Sequence, residues 1–244
     1  MDKQIVFFED LGRARYKEVW DYQEELLASN VRVKSLAHNN EGPLAETEAT
    51  RHHLLFVEHS PVYTLGKSGN IDNVLISEEE RNKRGLEFFK INRGGDITFH
   101  GPGQLVVYPI LDLEKFYTDI GRYLRNLEEV VIKTLADYGI KGDRSKGETG
   151  VWIDPSVKGM ERKICAIGVR CSRWITMHGL AFNINTNLDY FNNIIPCGIH
   201  DKQVTSLEKE LGTAINLEEV KEKVKKYFAQ VFDVQLMEKA TALL

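Results

Sequence analysis

The chain has 244 residues, 42% apolar and 28% charged, with a formal net charge of −4. That size and balance suit a sizeable globular core and argue against a nucleic-acid binder, whose surface is ordinarily basic. No run of about 18 uncharged apolar residues is present, so no membrane span or membrane association is expected.

The cysteines number three (Cys165, Cys171 and Cys197) and lack CxxC spacing, which suggests neither a disulfide framework nor a zinc site and fits a reducing cytoplasm. Met1 to Asp10 lacks the basic start and apolar core of a secretory signal, and Ile5–Phe8 reads as a first strand. Arg13 to Ser29 follows as a helix, with Tyr16, Val19, Trp20, Gln23, Leu26 and Leu27 at helical spacing. Leu54 to Glu58 reads as a strand, and His52 and His53 before it as surface residues at its end. Ser77 with Glu80 predicts a capped short helix that Gly85 closes. Phe88 to Asn92 and Leu105 to Tyr108 read as strands, the second stopped by Pro109. Asp119 to Tyr138 is the longest predicted helix, burying Tyr123, Leu124, Leu127, Val130, Val131, Thr134 and Leu135. Val151 to Ile153, Lys163 to Cys171 and Thr176 to Ile184 predict three strands, and Leu207 to Leu211 and Leu217 to Phe232 two closing helices, the second capped by Asn216. Neighbouring strands with long helices between them favour an α/β (α+β) fold over a strict βαβ array. With no linker or repeat in view, residues 1–244 read as one domain.

Residues 93 to 104 hold four glycines and a proline beside Arg93, Thr98, His100 and Gln104. Glycine lets backbone N–H groups approach a ligand closely, so Gly94 and Gly95 could cradle a carbonyl or anionic oxygen. A tight hairpin whose glycines serve only the turn fits the same spacing. Neither a P-loop nor a dinucleotide fingerprint is present.

Cys197 lies in the turn Ile195-Pro196-Cys197-Gly198, where a nucleophile and its oxyanion donors can coexist; a buried turn thiol is the plain alternative. Cys165 and Cys171 fit small buried residues on a strand. Lys163 opens an otherwise apolar segment, where it either snorkels to solvent or serves a site. A lysine beside Cys197 would favour the thiolate and lower its pKa from about 8.5. His178 fits a core-edge histidine that satisfies a backbone carbonyl, and His100, His178 and His200 lack zinc-helix spacing.

Taken in order, several stretches resemble one family, the lipoyl (octanoyl) transferases of the biotin/lipoate ligase superfamily. They are Asp10-Leu11-Gly12 with Tyr16, Trp20 and Gln23; Glu58 to Gly66; Arg93 to Tyr108; Lys163 to Arg170; His178 to Asn183; Pro196-Cys197-Gly198; and Val204 to Leu207. The resemblance runs from about residue 8 to residue 212. It implies a mixed central sheet flanked by helices, with a smaller second sheet. It also implies that Cys197 is an acyl-thioester nucleophile and that Lys163 lowers its pKa. The substrate would be bound by Arg93, Gly94, Gly95, Asp96, Ile97, Thr98, Phe99 and His100, with Ala166, Ile167, Gly168, Gly179, Leu180 and Ala181 lining the acyl site. The implied donor is octanoyl acyl carrier protein. The implied acceptors are lipoyl domains of 2-oxo acid dehydrogenases and the glycine-cleavage H protein, with no cofactor, no metal and no ATP. A monomer is the default expectation.

Ile195 stands where an Asn often precedes the Pro-Cys-Gly of the family, and residues 154 to 161 look like an enlarged loop. Residues 141 to 173 carry eight Lys or Arg and four Asp or Glu, a surplus of four that could steer acidic partners. Two rivals remain: an ATP-dependent lipoate ligase, and a non-catalytic carrier-binding module. A biotin ligase is less favoured, because Arg93-Gly94-Gly95-Asp96 stands where its Gly-Arg-Gly-Arg loop would be.

Overall fold

A computed structural model describes residues 3–39, 49–195 and 203–239. The first strand, β1 (Gln4–Ala14), is longer than its apolar start suggests and delays α1 (Tyr16–Asn39) by three residues. The register of β1 shifts between Asp10 and Arg13, beside Gly12 at φ +60°, and then resumes against the next strand as far as Ala14. α1 also runs ten residues past Ser29. Asn30 does not stop it, because its side chain pairs with the Arg51 backbone at both N and O, each at 2.8 Å.

The remaining elements are β2 (His52–His59), β3 (Val62–Leu65), α2 (Glu78–Lys83), β4 (Glu87–Lys90), β5 (Ile97–His100), β6 (Gln104–Ile110) and α3 (Ile120–Ala136). They continue with β7 (Gly142–Ser145), β8 (Glu148–Ile153), β9 (Arg162–Ser172), β10 (Ile175–Asn183), β11 (Gln203–Val204), α4 (Leu207–Leu211), α5 (Leu217–Phe232) and β12 (Val234–Glu238). Among the described residues the main sheet runs β12-β1-β2-β6-β10-β9-β8-β7, with β11 added beside β9, and a second sheet runs β4-β3-β5. The β1 pairings and β11–β9 are parallel while the centre is antiparallel, so the sheet is mixed.

Both faces of the main sheet are covered. Leu54, Phe56, Leu105, Val107 and Phe182 pack with α3 and α5, whereas Leu55, Val57, Val106 and Tyr108 pack with α1. A strand buried on both sides carries a near-continuous apolar run, and β2 is buried along its whole length. This corrects the surface reading of His52 and His53, which are only 3% and 7% exposed. His52 Nδ1 accepts the Asp112 N–H at 3.2 Å while Nε2 donates to Gln4 Oε1 at 3.2 Å. Burial lowers the pKa of both rings to about 4. Pro109 does not stop β6; the ladder with β10 ends at Val107, so a missing N–H two residues later breaks nothing on that side. Cys165 is buried as expected, but Cys171, near the end of β9, is exposed.

Candidate active site

The glycine-rich loop lies between β4 and β5 and is held from both sides. On the outside, the turn after β3 bonds to it: Lys67 N to Arg93 O at 2.9 Å, Gly66 N to Asp96 O at 3.2 Å and Ser68 N to Gly95 O at 3.3 Å. The approach is so close that a Cβ on Gly66 would stand 2.3 Å from Gly95 O. On the inside, Gly94 N donates to Val169 O at 2.9 Å and a Cβ on Gly168 would meet Gly94 O at 2.9 Å. One of the two backbone donors expected to cradle a substrate oxygen is therefore engaged with β9. Gly95, at φ +87°, makes the reversal that an L side chain would resist.

Arg93 and Asp96 build this loop. The Arg93 guanidinium donates to Thr64 O (2.7 Å), Thr64 Oγ1 (3.0 Å) and Gly94 O (3.0 Å). Asp96 accepts from the N–H groups of Ile97 and Asn70 and from the Asn73 amide.

Between the loop, β9 and β10 is a cavity of about 510 Å³, within the usual size of a small-molecule site, roughly 300–1,000 Å³. Arg93 through Thr98 and His100 line it, as do Lys163, Ala166, Ile167 and Gly168 from β9 and Gly179, Leu180 and Ala181 from β10. Phe99 is the described sequence-predicted residue that does not. Its ring instead stacks on Tyr190 at 4.5 Å, within the cluster under the second sheet. Cys197 lies outside the described residues. On either side of it, Ile195 N donates to Asn73 O at 2.8 Å and Gln203 N to Glu161 O at 3.1 Å. The chain then pairs Gln203 and Val204 with Arg162 and Lys163.

Sequence reasoning did not assign Tyr16, Val106, Tyr108, Leu124, Gly147 and the start of β8 (Glu148, Thr149), or Asn183 to this lining. Leu124 carries the helical period that predicted its burial, but the period does not tell a cavity from a core. The polar groups form a relay. His100 Nδ1 donates to Gln104 Oε1 at 2.9 Å, Gln104 Nε2 to Asn183 Oδ1 at 2.9 Å, and Asn183 Nδ2 to Thr205 O at 3.0 Å; Thr205 N then donates to Lys163 O at 2.9 Å. The glycine-rich loop and the Lys163 strand are thus parts of one buried network.

Burial keeps the histidines here neutral. The pKa of His178 is lowered to about 3 and that of His59 to about 4, while His100 is pushed well below the ordinary value. His59 donates from Nδ1 to Ala14 O at 3.1 Å and accepts from the Tyr108 hydroxyl at 2.8 Å. His178 departs from its expected role: it is buried at φ +59°, and its Nε2 has no hydrogen-bond partner among the described residues. Lys163 is the only lysine lining the cavity among the described residues, and its Nζ lies 4.6 Å from the centre of the Trp152 ring. The lining combines apolar Val106, Leu124, Ile167 and Leu180 with neutral His100 and His178, charged Arg93, Asp96 and Glu148, and the Lys163 side chain. No group of three or more His, Cys, Asp or Glu among the described residues could hold a metal ion.

The chain is similar in sequence and in fold to known proteins. The family described as the lipoyl protein ligase A/B catalytic domain matches residues 15–229. The chain is 57% identical over 238 residues to an octanoyltransferase from Christiangramia forsetii, covering 97% of this chain and 99% of that one. An octanoyltransferase from Flavobacterium johnsoniae is 53% identical, with 97% and 100% covered. Among solved structures, a bi-partite lipoate protein ligase from Thermoplasma acidophilum superposes with a TM-score of 0.67 at 15% identity, covering 100% of this chain and 89% of that one. A lipoate-protein ligase A bound with ATP gives 0.64 at 15% identity, covering 100% and 91%. At such identity these two speak to the fold alone, a lipoate-ligase-like mixed sheet with a small second sheet.

Proposed function

The chain belongs to the lipoyl protein ligase A/B catalytic-domain family, and from that premise we propose that it transfers octanoyl groups through a thioester on Cys197, without ATP. The donor is octanoyl acyl carrier protein, and the acceptors are the lysines of lipoyl domains in 2-oxo acid dehydrogenases and of the glycine-cleavage H protein. This is the first step of protein lipoylation made from endogenous acyl chains.

The observation that carries the reading is the cavity itself: a largely apolar chamber of acyl scale into which, among the described residues, one lysine, Lys163, projects from β9. In the proposed chemistry the Cys197 thiolate attacks the thioester carbonyl. The bond from acyl carbon to carrier sulfur breaks, and the Lys163 ammonium gives its proton to the departing carrier thiolate. The acceptor lysine then attacks as a neutral amine. Its surplus proton passes to the Lys163 amine, the amide forms, and Cys197 leaves as thiolate. One thioester replaces another of similar energy, and the amide lies lower than both, so no ATP is needed. Neutral histidines suit this scheme, because the proton traffic is left to the lysine.

The test is transfer from octanoyl carrier protein to an apo lipoyl domain, with and without ATP. We expect equal transfer in both, lost in Cys197→Ser and in Lys163→Met. Labelling that requires ATP and free octanoate or lipoate would instead make the protein a ligase. Carrier binding without transfer under any condition would make it a binding module.

A further inference from the structure

The buried face of α3 carries one acidic residue. Glu128 is 0% exposed, among the buried residues Tyr123, Leu127, Val130, Val131, Thr134 and Leu135 of the same helix. Taking a carboxylate out of water is costly, and an ion pair in its place is seldom more stabilising than apolar packing. Its two oxygens do different things. Oε2 takes Arg125 Nη1 at 2.7 Å and Arg144 Nε at 3.0 Å, both from partly exposed arginines. Oε1 accepts the backbone N–H of Gly150 at 3.0 Å.

Gly150 stands where the β8–β9 pairing is irregular. Its φ of +126° is closed to L side chains, and a Cβ there would lie 2.6 Å from Cys165 O. Directly after it Val151 pairs with Cys165 and Trp152 with Lys163, so Ile164 has no counterpart. A bulge of this kind redirects the side chains beside it. Lys163 is one of them; its Cε lies 3.5 Å from where a Gly150 Cβ would stand. Glu148 and Thr149, just upstream on β8, line the same cavity.

We infer that Glu128 is a positioning residue for Lys163: by accepting the Gly150 N–H it fixes the irregular pairing that aims the lysine into the cavity. The inference rests on the proposed partnership of Lys163 with Cys197. Glu128 touches neither substrate nor Cys197 in this account and acts through the backbone alone.

The test separates the acceptor oxygen from the charge. For each variant one would measure the pH dependence of iodoacetamide alkylation at the Cys197 peptide, kcat for octanoyl transfer, and the thermal midpoint. Lys163→Met is expected to raise the alkylation midpoint toward the ordinary thiol value of about 8.5. Glu128→Met should move it the same way, with kcat at least tenfold lower. Glu128→Gln keeps an acceptor for Gly150 and should keep the wild-type midpoint, while melting lower because Arg125 and Arg144 lose their carboxylate. Should Glu128→Met fail to fold, Glu128→Asp replaces it, retaining the charge but falling one methylene short of Gly150; its midpoint should rise. An unchanged midpoint and kcat in a folded Glu128→Met or Glu128→Asp protein overturns the inference, as does a Glu128→Gln midpoint that rises with the others. An unchanged midpoint in Lys163→Met would instead sink the partnership with Cys197 and leave the role of Glu128 without its object.

Discussion

Gly168 and Gly179 pair with each other across β9 and β10, yet an added methyl meets different neighbours at each. At Gly168 it would touch Gly94 O (2.9 Å) and Arg93 Cδ (3.1 Å), both in the glycine-rich loop at the cavity. At Gly179 it would lie 2.1 Å from Val107 O and 2.7 Å from Pro109 Cδ, in the central strand β6. Gly168→Ala is therefore expected to lower transfer about tenfold or more while stability falls by about 1–2 kcal/mol. Gly179→Ala should lose more than about 4 kcal/mol or fail to fold. Denaturant midpoints and kcat on the two variants would check this, and equal effects would contradict it. At this scale the sequence motifs marked Lys163, the glycine loop and both strand segments of the cavity. They did not mark Phe99 as turned away, because the rings it packs on, Tyr190 and Phe191, lie about ninety residues further along the chain. Glu128 left a faint trace, lying at the i+4 position after Leu124 within an apolar stripe, where a charge has no reason to be unless it is bonded.

The loop of residues 154–161 is held by one guanidinium at the start of β9. Arg162 pairs with both Glu210 oxygens (2.6 and 2.7 Å) and reaches Asp154 Oδ2 (2.7 Å) and Met160 O (3.0 Å). Glu210, on α4, also accepts from the Thr205 hydroxyl at 2.5 Å, and these donors hold its carboxyl below the ordinary range. The loop, β9, β11 and α4 are therefore linked through a partly buried fork. A double-mutant cycle of Arg162→Met and Glu210→Gln should give a coupling of about 1–2 kcal/mol in urea unfolding; additive losses would show that the elements are held independently. The element pattern itself was partly legible. α5 falls on its predicted bounds because Asn216 caps an uninterrupted apolar period, its side chain accepting the Glu218 N–H. β3, β5, β7, β11 and β12 were not foreseen; β3 and β5 are only four residues long and flank Pro61 and the glycine-rich loop. β7 and β11 are short and polar, and β12 finds its partner, β1, at the opposite end of the chain, where local pattern carries no information.

Over the whole molecule, charge is organised inward more than the sequence suggested. Of the eight basic residues in 141–173, Arg144 pairs with Glu128 and Glu129, Arg162 with Glu210 and Asp154, and Arg170 with Glu24. Much of the apparent positive surplus is thus engaged within the fold. The buried histidines set the acid limit of stability. In the unfolded chain they titrate near 6.5, whereas in the fold His52, His53 and His59 titrate at about 4 and His178 at about 3. Above about pH 7 both states are neutral and stability is full. Below 6.5 the unfolded chain takes up protons that the fold refuses, so stability is lost as pH falls toward the folded values. Each histidine contributes up to about 1.4 kcal/mol per pH unit in that window. The thermal midpoint should be level from about pH 7 to 8 and drop steeply between about 6.5 and 5; a level midpoint across that lower range would contradict the neutral burial of these rings.

Intact mass reads the covalent intermediate on Cys197 directly. The protein would be incubated with octanoyl acyl carrier protein, in the absence of ATP and acceptor, and weighed. One added octanoyl group is expected, mapping to Cys197, absent in Cys197→Ser, and discharged when an apo lipoyl domain is supplied. A folded protein that gains no mass, yet labels the lipoyl domain when given octanoate and ATP, would contradict it.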